Sequence, residues 1–197
     1  MTDSIDAPLT VTHAGPLLRL VREIGVTILR LRIEHELLEY VITRVSAALA
    51  MDYGAILLHD GQMLSLTALT GKGDEQTSPV LQVFGLVERL MKEGASDVQV
   101  VSDLEGSVDH GTLGPLRTLI LTPLAAHATP MGVVVLAHET PRPLHADELE
   151  ALRLIGQLLG ARLREMRLQA KLDATARRLA SHGERFDPDS TLDPQSG

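Results

Sequence analysis

The sequence predicts an α+β fold, with long helices at both ends and two β-hairpins between them. Three observations carry this reading. Apolar residues recur at alternating steps of four and three from Leu17 to Leu49, the spacing of a helical seam. The period drops to two over residues 53–70 and again over 116–139, as strands with two distinct faces require. Beyond the bend Pro141-Arg142-Pro143 a helical period returns and persists to residue 181.

Residues 1–14 are polar and aperiodic and read as a flexible leader. Gly15-Pro16 opens the first helix, because proline suits a first turn. Its seam comprises Leu17, Val21, Ile24, Ile28, Leu31, His35, Leu38, Ile42, Val45 and Leu49. Unbroken, that helix would be about 50 Å long, so residues 15–36 are expected to project as a coiled coil. Residues 53–59 and 63–70 form strands around the turn Asp60-Gly61-Gln62. Ser78-Pro79 opens a second helix that runs to Glu93 and stops at Gly94. A short strand over 98–101 leads into a glycine-containing loop over 102–115, a length that often carries function. Residues 116–126 and 131–139 then pair as a hairpin around Ala128-Thr129-Pro130. The last helix begins near Ala146. Its apolar positions slip in phase near Met166, before Leu168, Leu172 and Leu179, as in a helix that packs on its own domain first and on a partner helix later. Residues 183–197 hold little that is apolar and are expected to be disordered.

Composition removes whole classes of chemistry. The chain has no cysteine, which excludes disulfides, thiolate metal sites, thiol nucleophiles and thioether-linked cofactors. Its aromatic residues are Tyr40, Tyr53, Phe84 and Phe186, too few for a base-stacking platform. A net charge of −8 argues against nucleic acid as a partner. The acidic N-terminus and the lack of a long apolar run point away from a signal peptide or membrane span and toward the cytoplasm. Neither HxxxH, HExxH nor EF-hand spacing occurs, so no metal site is predicted. Gly71-Lys72-Gly73 lacks the strand-to-helix setting of a phosphate loop and reads as a turn.

Three segments together resemble the GAF domain family. They are residues 37–49 leading into Tyr53-Gly54-Ala55-Ile56-Leu57-Leu58, residues 117–124 followed by Met131-Gly132-Val133-Val134-Val135-Leu136, and residues 141–152. The resemblance covers residues 37–167, leaving 15–36 and 168–182 as helical extensions. It implies a PAS-related antiparallel sheet, with the first and last helices packed on one face and a ligand pocket on the other. The alternation over 117–124 suits such a split. Leu119 and Leu121 make an apolar side fit for helices, while Thr118, Ile120 and Thr122 make a mixed side. On the neighbouring strand Val134, Leu136 and His138 share a face. Buried hydroxyls and an imidazole need hydrogen-bond partners, which a polar ligand could supply.

The expected ligand-binding set is therefore Phe84, Ser102, Asp103, His110, Thr118, Ile120, Thr122 and His138, with the 102–115 loop in the place where GAF pockets are lidded. His138 matches a strand-end histidine of bilin-binding members, but the cysteine that attaches a bilin is absent, so a covalent bilin is excluded. Leu144-His145-Ala146-Asp147-Glu148 only echoes the end of the cyclic-nucleotide signature. The branch that reduces free methionine sulfoxide works with cysteine thiols, so the chain is expected to be non-enzymatic. The cofactor is not specified by the sequence. The reading is a sensory or regulatory protein that binds a small molecule and signals through dimerising helices to a partner acting in trans. The alternative is a dimeric scaffold whose pocket is vestigial. In either case Leu17, Val21, Ile24, Ile28, Leu31 and His35 are the expected homodimer seam.

Overall fold

The computed structural model describes residues 14–59, 63–72, 78–92, 97–102, 116–125 and 130–183. The leader, the tail and the loop that carries Asp103 and His110 lie outside the described residues. Residues 31–33 break the N-terminal seam into two helices, α1 (Ala14–Arg30) and α2 (Glu34–Ala48). Ile33 takes an extended conformation, φ −97° and ψ 120°, just before α2. The two helices then run in opposite directions. Tyr40 Oη donates to Glu23 Oε1 at 2.8 Å, Arg44 binds Glu23 Oε2 at 2.8 Å, and Thr27 Oγ1 donates to Tyr40 Oη at 3.3 Å.

This hairpin corrects the expectation of one projecting helix. The stripe read as a dimer seam is covered inside a single chain: Ile24 is fully buried, Leu17 and Ile28 nearly so, and Val21 and Leu31 pack half-buried against the same core. Burying such side chains stabilises a fold by about 1.5–3 kcal/mol each, and the chain does so without a partner. His35 leaves the seam altogether; its side chain is exposed and its Nε2 lies 3.1 Å from Glu39 Oε1.

The sheet contains β1 (Tyr53–His59), β2 (Leu64–Gly71), β3 (Gln99–Ser102), β4 (Thr118–Ala125) and β5 (Pro130–His138). Its order is β2-β1-β5-β4-β3, with every neighbouring pair antiparallel. The helix expected after Ser78 starts as a 3-10 turn, Pro79–Val83, and becomes α3 (Phe84–Lys92). α1, α2 and the long α4 (Ala146–Gly183) share one face of the sheet, over Ile56, Leu58, Ile120, Leu124, Val134 and Leu136. The other face, with Ala55, Leu57, Leu119, Leu121, Val133 and Val135, lies beneath Val80, Val83, Leu86 and Val87.

The two faces are therefore the reverse of the expected assignment. Leu119 and Leu121 line the face away from α1, α2 and α4, whereas Ile120 lies beneath those helices, with Thr118 and Thr122 in step with it along β4. Both faces are covered, so alternation separated them correctly but carried no signal for which one the helices occupy.

Two glycines seat α4. A Cβ added at Gly156 would stand 2.6 Å from the Pro123 carbonyl oxygen, and one at Gly160 would stand 2.8 Å from the Leu124 carbonyl carbon. Only a bare backbone lets the helix lie this close on β4. At its start, Glu148 accepts the His145 backbone N–H at 2.9 Å, satisfying a helix-terminal donor. No helix among the described residues is long and apolar enough to cross a membrane.

Candidate functional site

Two of the expected ligand-binding residues, Thr118 and His138, meet at one end of the sheet, where they pair across β4 and β5. Thr118 Oγ1 donates to the Thr140 carbonyl at 3.1 Å and accepts the Arg142 N–H at 2.8 Å. His138 Nδ1 accepts the Thr140 N–H at 3.0 Å and lies 3.3 Å from Asp52 Oδ2. Both polar groups are thus partnered by the chain itself. They hold the β5–α4 connection rather than wait for a ligand.

The cluster extends into residues that the sequence did not single out. Asp52 Oδ2 accepts the Glu139 N–H at 3.0 Å, and Lys72 Nζ reaches Asp52 Oδ1 at 2.7 Å. Tyr53 Oη donates to Glu139 Oε1 at 2.7 Å, and Arg142 Nη2 binds Glu148 Oε1 at 2.8 Å. Burial works against the charged form of Asp52. The Glu139 N–H, Lys72 and His138 outweigh it and hold the carboxyl below its ordinary range. The bond from Tyr53 Oη to the Glu139 carboxylate, with burial, raises the Tyr53 hydroxyl above its ordinary range. The available signal was positional: Asp52 stands just before the first strand, and Arg142 lies between two prolines at the entrance to the last helix.

Thr122 differs from its neighbours. It is buried, and its Oγ1 has no hydrogen-bond partner. It borders a cavity of about 300 Å³ between β4 and α4, with Asp97, Val98, Pro123, Ala125, Arg153 and Gln157. Across that opening, Arg153 holds Asp97 through two bonds of 2.9 and 3.0 Å and also pairs with Glu150. A groove of about 430 Å³ follows the outer strand β2 beside His35, Glu39 and Ser78.

The remaining expected residues that are described, Phe84, Ser102 and Ile120, scatter. Phe84 sits half-buried at the start of α3 against the α3-side core, Ser102 ends β3 in solvent, and Ile120 is core beneath the helices. Among the described residues, the sheet does not unite the six that can be placed into one pocket. The α3-covered face instead presents Leu57, Leu119, Leu121, Val133 and Val135, all at or near full burial, against an equally apolar cover. On this face the described side chains are apolar and pack on one another. Among the described residues no group of three or more His, Asp or Glu side chains is disposed to hold a metal ion.

Comparison with known proteins places this architecture. The GAF domain family model matches residues 34–163. The GAF domain of a phosphoenolpyruvate-protein phosphotransferase from Coxiella burnetii is similar in structure, with TM-score 0.68 and 15% identity over 81% of this chain and 99% of that one. Free methionine-R-sulfoxide reductase from Neisseria meningitidis, solved with its substrate, gives TM-score 0.64 and 16% identity over 80% and 94%. The GAF domain of a Pseudomonas syringae pv. tomato protein named as a sensor histidine kinase gives TM-score 0.61 and 24% identity over 81% and 92%. These likenesses concern the fold. No curated protein sequence matches the chain.

Proposed function

The chain belongs to the GAF domain family, and from that premise we propose that it is a non-enzymatic regulatory module that acts through its helices on a second copy and on a partner in trans. The observation that carries this reading is the division of α4. Its first half buries Leu152, Ile155, Leu159 and Leu163 on the sheet, while its second half holds Leu168, Leu172 and Leu179 at 52%, 65% and 68% exposure. A helix seated on the domain at one end and bare at the other is a mechanical link from sheet to partner. The GAF domains similar to it include one named as part of a sensor histidine kinase.

The small molecule of this reading is apolar, because the described side chains of the α3-covered face are apolar and the Thr118 and His138 groups are already bonded within the chain. The second reading, a scaffold whose pocket is filled by its own side chains, is favoured by the full burial of Leu57, Leu119, Val83 and Val87 on that face. Native mass spectrometry of the chain isolated from its own host separates the two. A retained apolar molecule at one per chain supports sensing. A bare chain whose melting temperature ignores added apolar probes leaves the scaffold.

A further inference from the structure

His138 Nδ1 stands between two contacts that cannot hold at once. The Thr140 N–H donates to it at 3.0 Å, and Asp52 Oδ2 lies 3.3 Å away. A ring nitrogen accepts an N–H through its lone pair and bonds a carboxylate through a proton. With the lone pair free, Nδ1 holds Thr140 and the neutral ring carries its proton on Nε2. With a proton on Nδ1, the ring donates to Asp52 and the Thr140 N–H loses its acceptor. The Thr140 hydroxyl, 2.9 Å from the same nitrogen, serves either state, since it can donate or accept.

The surroundings keep Asp52 ready for the second state. Its carboxyl is held below its ordinary range, so it is ionised wherever a histidine titrates. The imidazole and the carboxylate are 20% and 13% exposed, and water screens such a pair weakly. The other charged groups at this sheet end have partners of their own. Lys72 binds Asp52 Oδ1 and reaches Glu139, and Glu139 also accepts the Tyr53 hydroxyl. Arg142 holds Glu148 and Met51 Sδ, and Arg117 Nη1 donates to the Leu116 carbonyl. Thr140, for its part, lies on a short bonded path to the last helix. Its carbonyl accepts the Thr118 hydroxyl, that hydroxyl accepts the Arg142 N–H, and the Arg142 side chain grips Glu148 in the first turn of α4.

We propose that His138 is a proton-operated latch at the joint between β5 and α4: the neutral ring holds the Thr140 N–H, and the protonated ring releases it and turns to Asp52. The proton comes from solvent. The latch needs neither a ligand nor a second copy, so it stands or falls apart from the proposed function. NMR of the full chain tests it, following the His138 imidazole and the Thr140 amide in the same samples from about pH 8 to about pH 5, the range in which histidines titrate. The Thr140 amide resonance should move along the imidazole's own titration curve. Its protection from exchange, corrected for the intrinsic pH dependence, should fall about tenfold as the ring takes up its proton, the factor that one ordinary hydrogen bond provides. In His138→Gln, which cannot titrate, Thr140 protection should stay level over the range. In Asp52→Asn the ring should take up its proton at lower pH, because the acid state has lost its carboxylate; an unmoved titration would overturn Asp52 as the second partner. Level protection in the wild type while the ring titrates overturns the latch, as does a ring that keeps one form throughout, or a pH-dependent Thr140 in His138→Gln. The wild-type curves decide by themselves, so the test survives a variant that fails to fold.

Discussion

Asp52 is the residue through which the sheet end is tied together, joining the start of β1 to Lys72 after β2 and to Glu139 after β5. Its folded pKa lies below the ordinary value. The stability it adds is therefore present above about pH 4 and disappears as the pH falls through the lower folded value. Asp52→Asn should cost about 1–3 kcal/mol near neutrality, and the gap to wild type should close below about pH 4. Urea titrations of both proteins across that range check it; a constant gap would place the stabilisation outside the charge. Thr122 predicts the opposite sign. Its hydroxyl is buried without a partner, and a valine of the same shape removes that burden, so Thr122→Val should stabilise the chain by about 1 kcal/mol. A lower melting temperature would mean that a water or ligand occupies the neighbouring cavity. At this scale the sequence was partly legible. It grouped Thr118, Thr122 and His138 on one face, but polarity alone could not distinguish hydroxyls that bind backbone from hydroxyls that bind ligand.

Among the elements, β1 to β5 and α4 were readable because their periods and turn residues agree with one another. The break at residues 31–33 was not. The steps from Ile28 to Leu31 to His35 continue the seam in phase, so a helical hairpin and one long helix share the same apolar record. The difference has a direct consequence. A charge at Ile28 would enter the core formed with α2 and α4 rather than a subunit interface. Ile28→Asp should unfold the chain or lower its stability by more than about 3 kcal/mol, seen as loss of a cooperative thermal transition. A well-folded monomer would restore the exposed seam. The seat of α4 is as strict. Gly156→Ala places a methyl against the Pro123 carbonyl, where backbone cannot yield as a side chain does. A loss of about 1–3 kcal/mol is expected, read from chemical denaturation; a neutral result would show that the helix rides higher on β4.

At the scale of the whole molecule, α1 is the part that lies ahead of the family's matched segment, and it completes the outer surface of the helix layer. Its inner stripe of Leu17, Leu20, Ile24 and Ile28 is spent on the core, yet Leu18 and Leu29 remain 65% and 76% exposed on its other side. Gly25, between them, lies within 3.9 Å of Leu158 for an added Cβ. The outward side of α1 is thus continuous with Leu158 on the exposed side of α4. If, as proposed above, two copies associate through their helices, the α1 helices are expected to come alongside and close a four-helix layer between the two sheets. Each of these leucines would lose water only in the dimer, so their removal should cost association and spare the fold. Leu18→Glu combined with Leu29→Glu should weaken the dimer about tenfold or more while the monomer's unfolding transition stays within error of wild type. Sedimentation equilibrium and thermal melts on the same samples decide it. Unchanged association would confine the interface to α4, and a lowered melting temperature would mean that these leucines serve the monomer's own core.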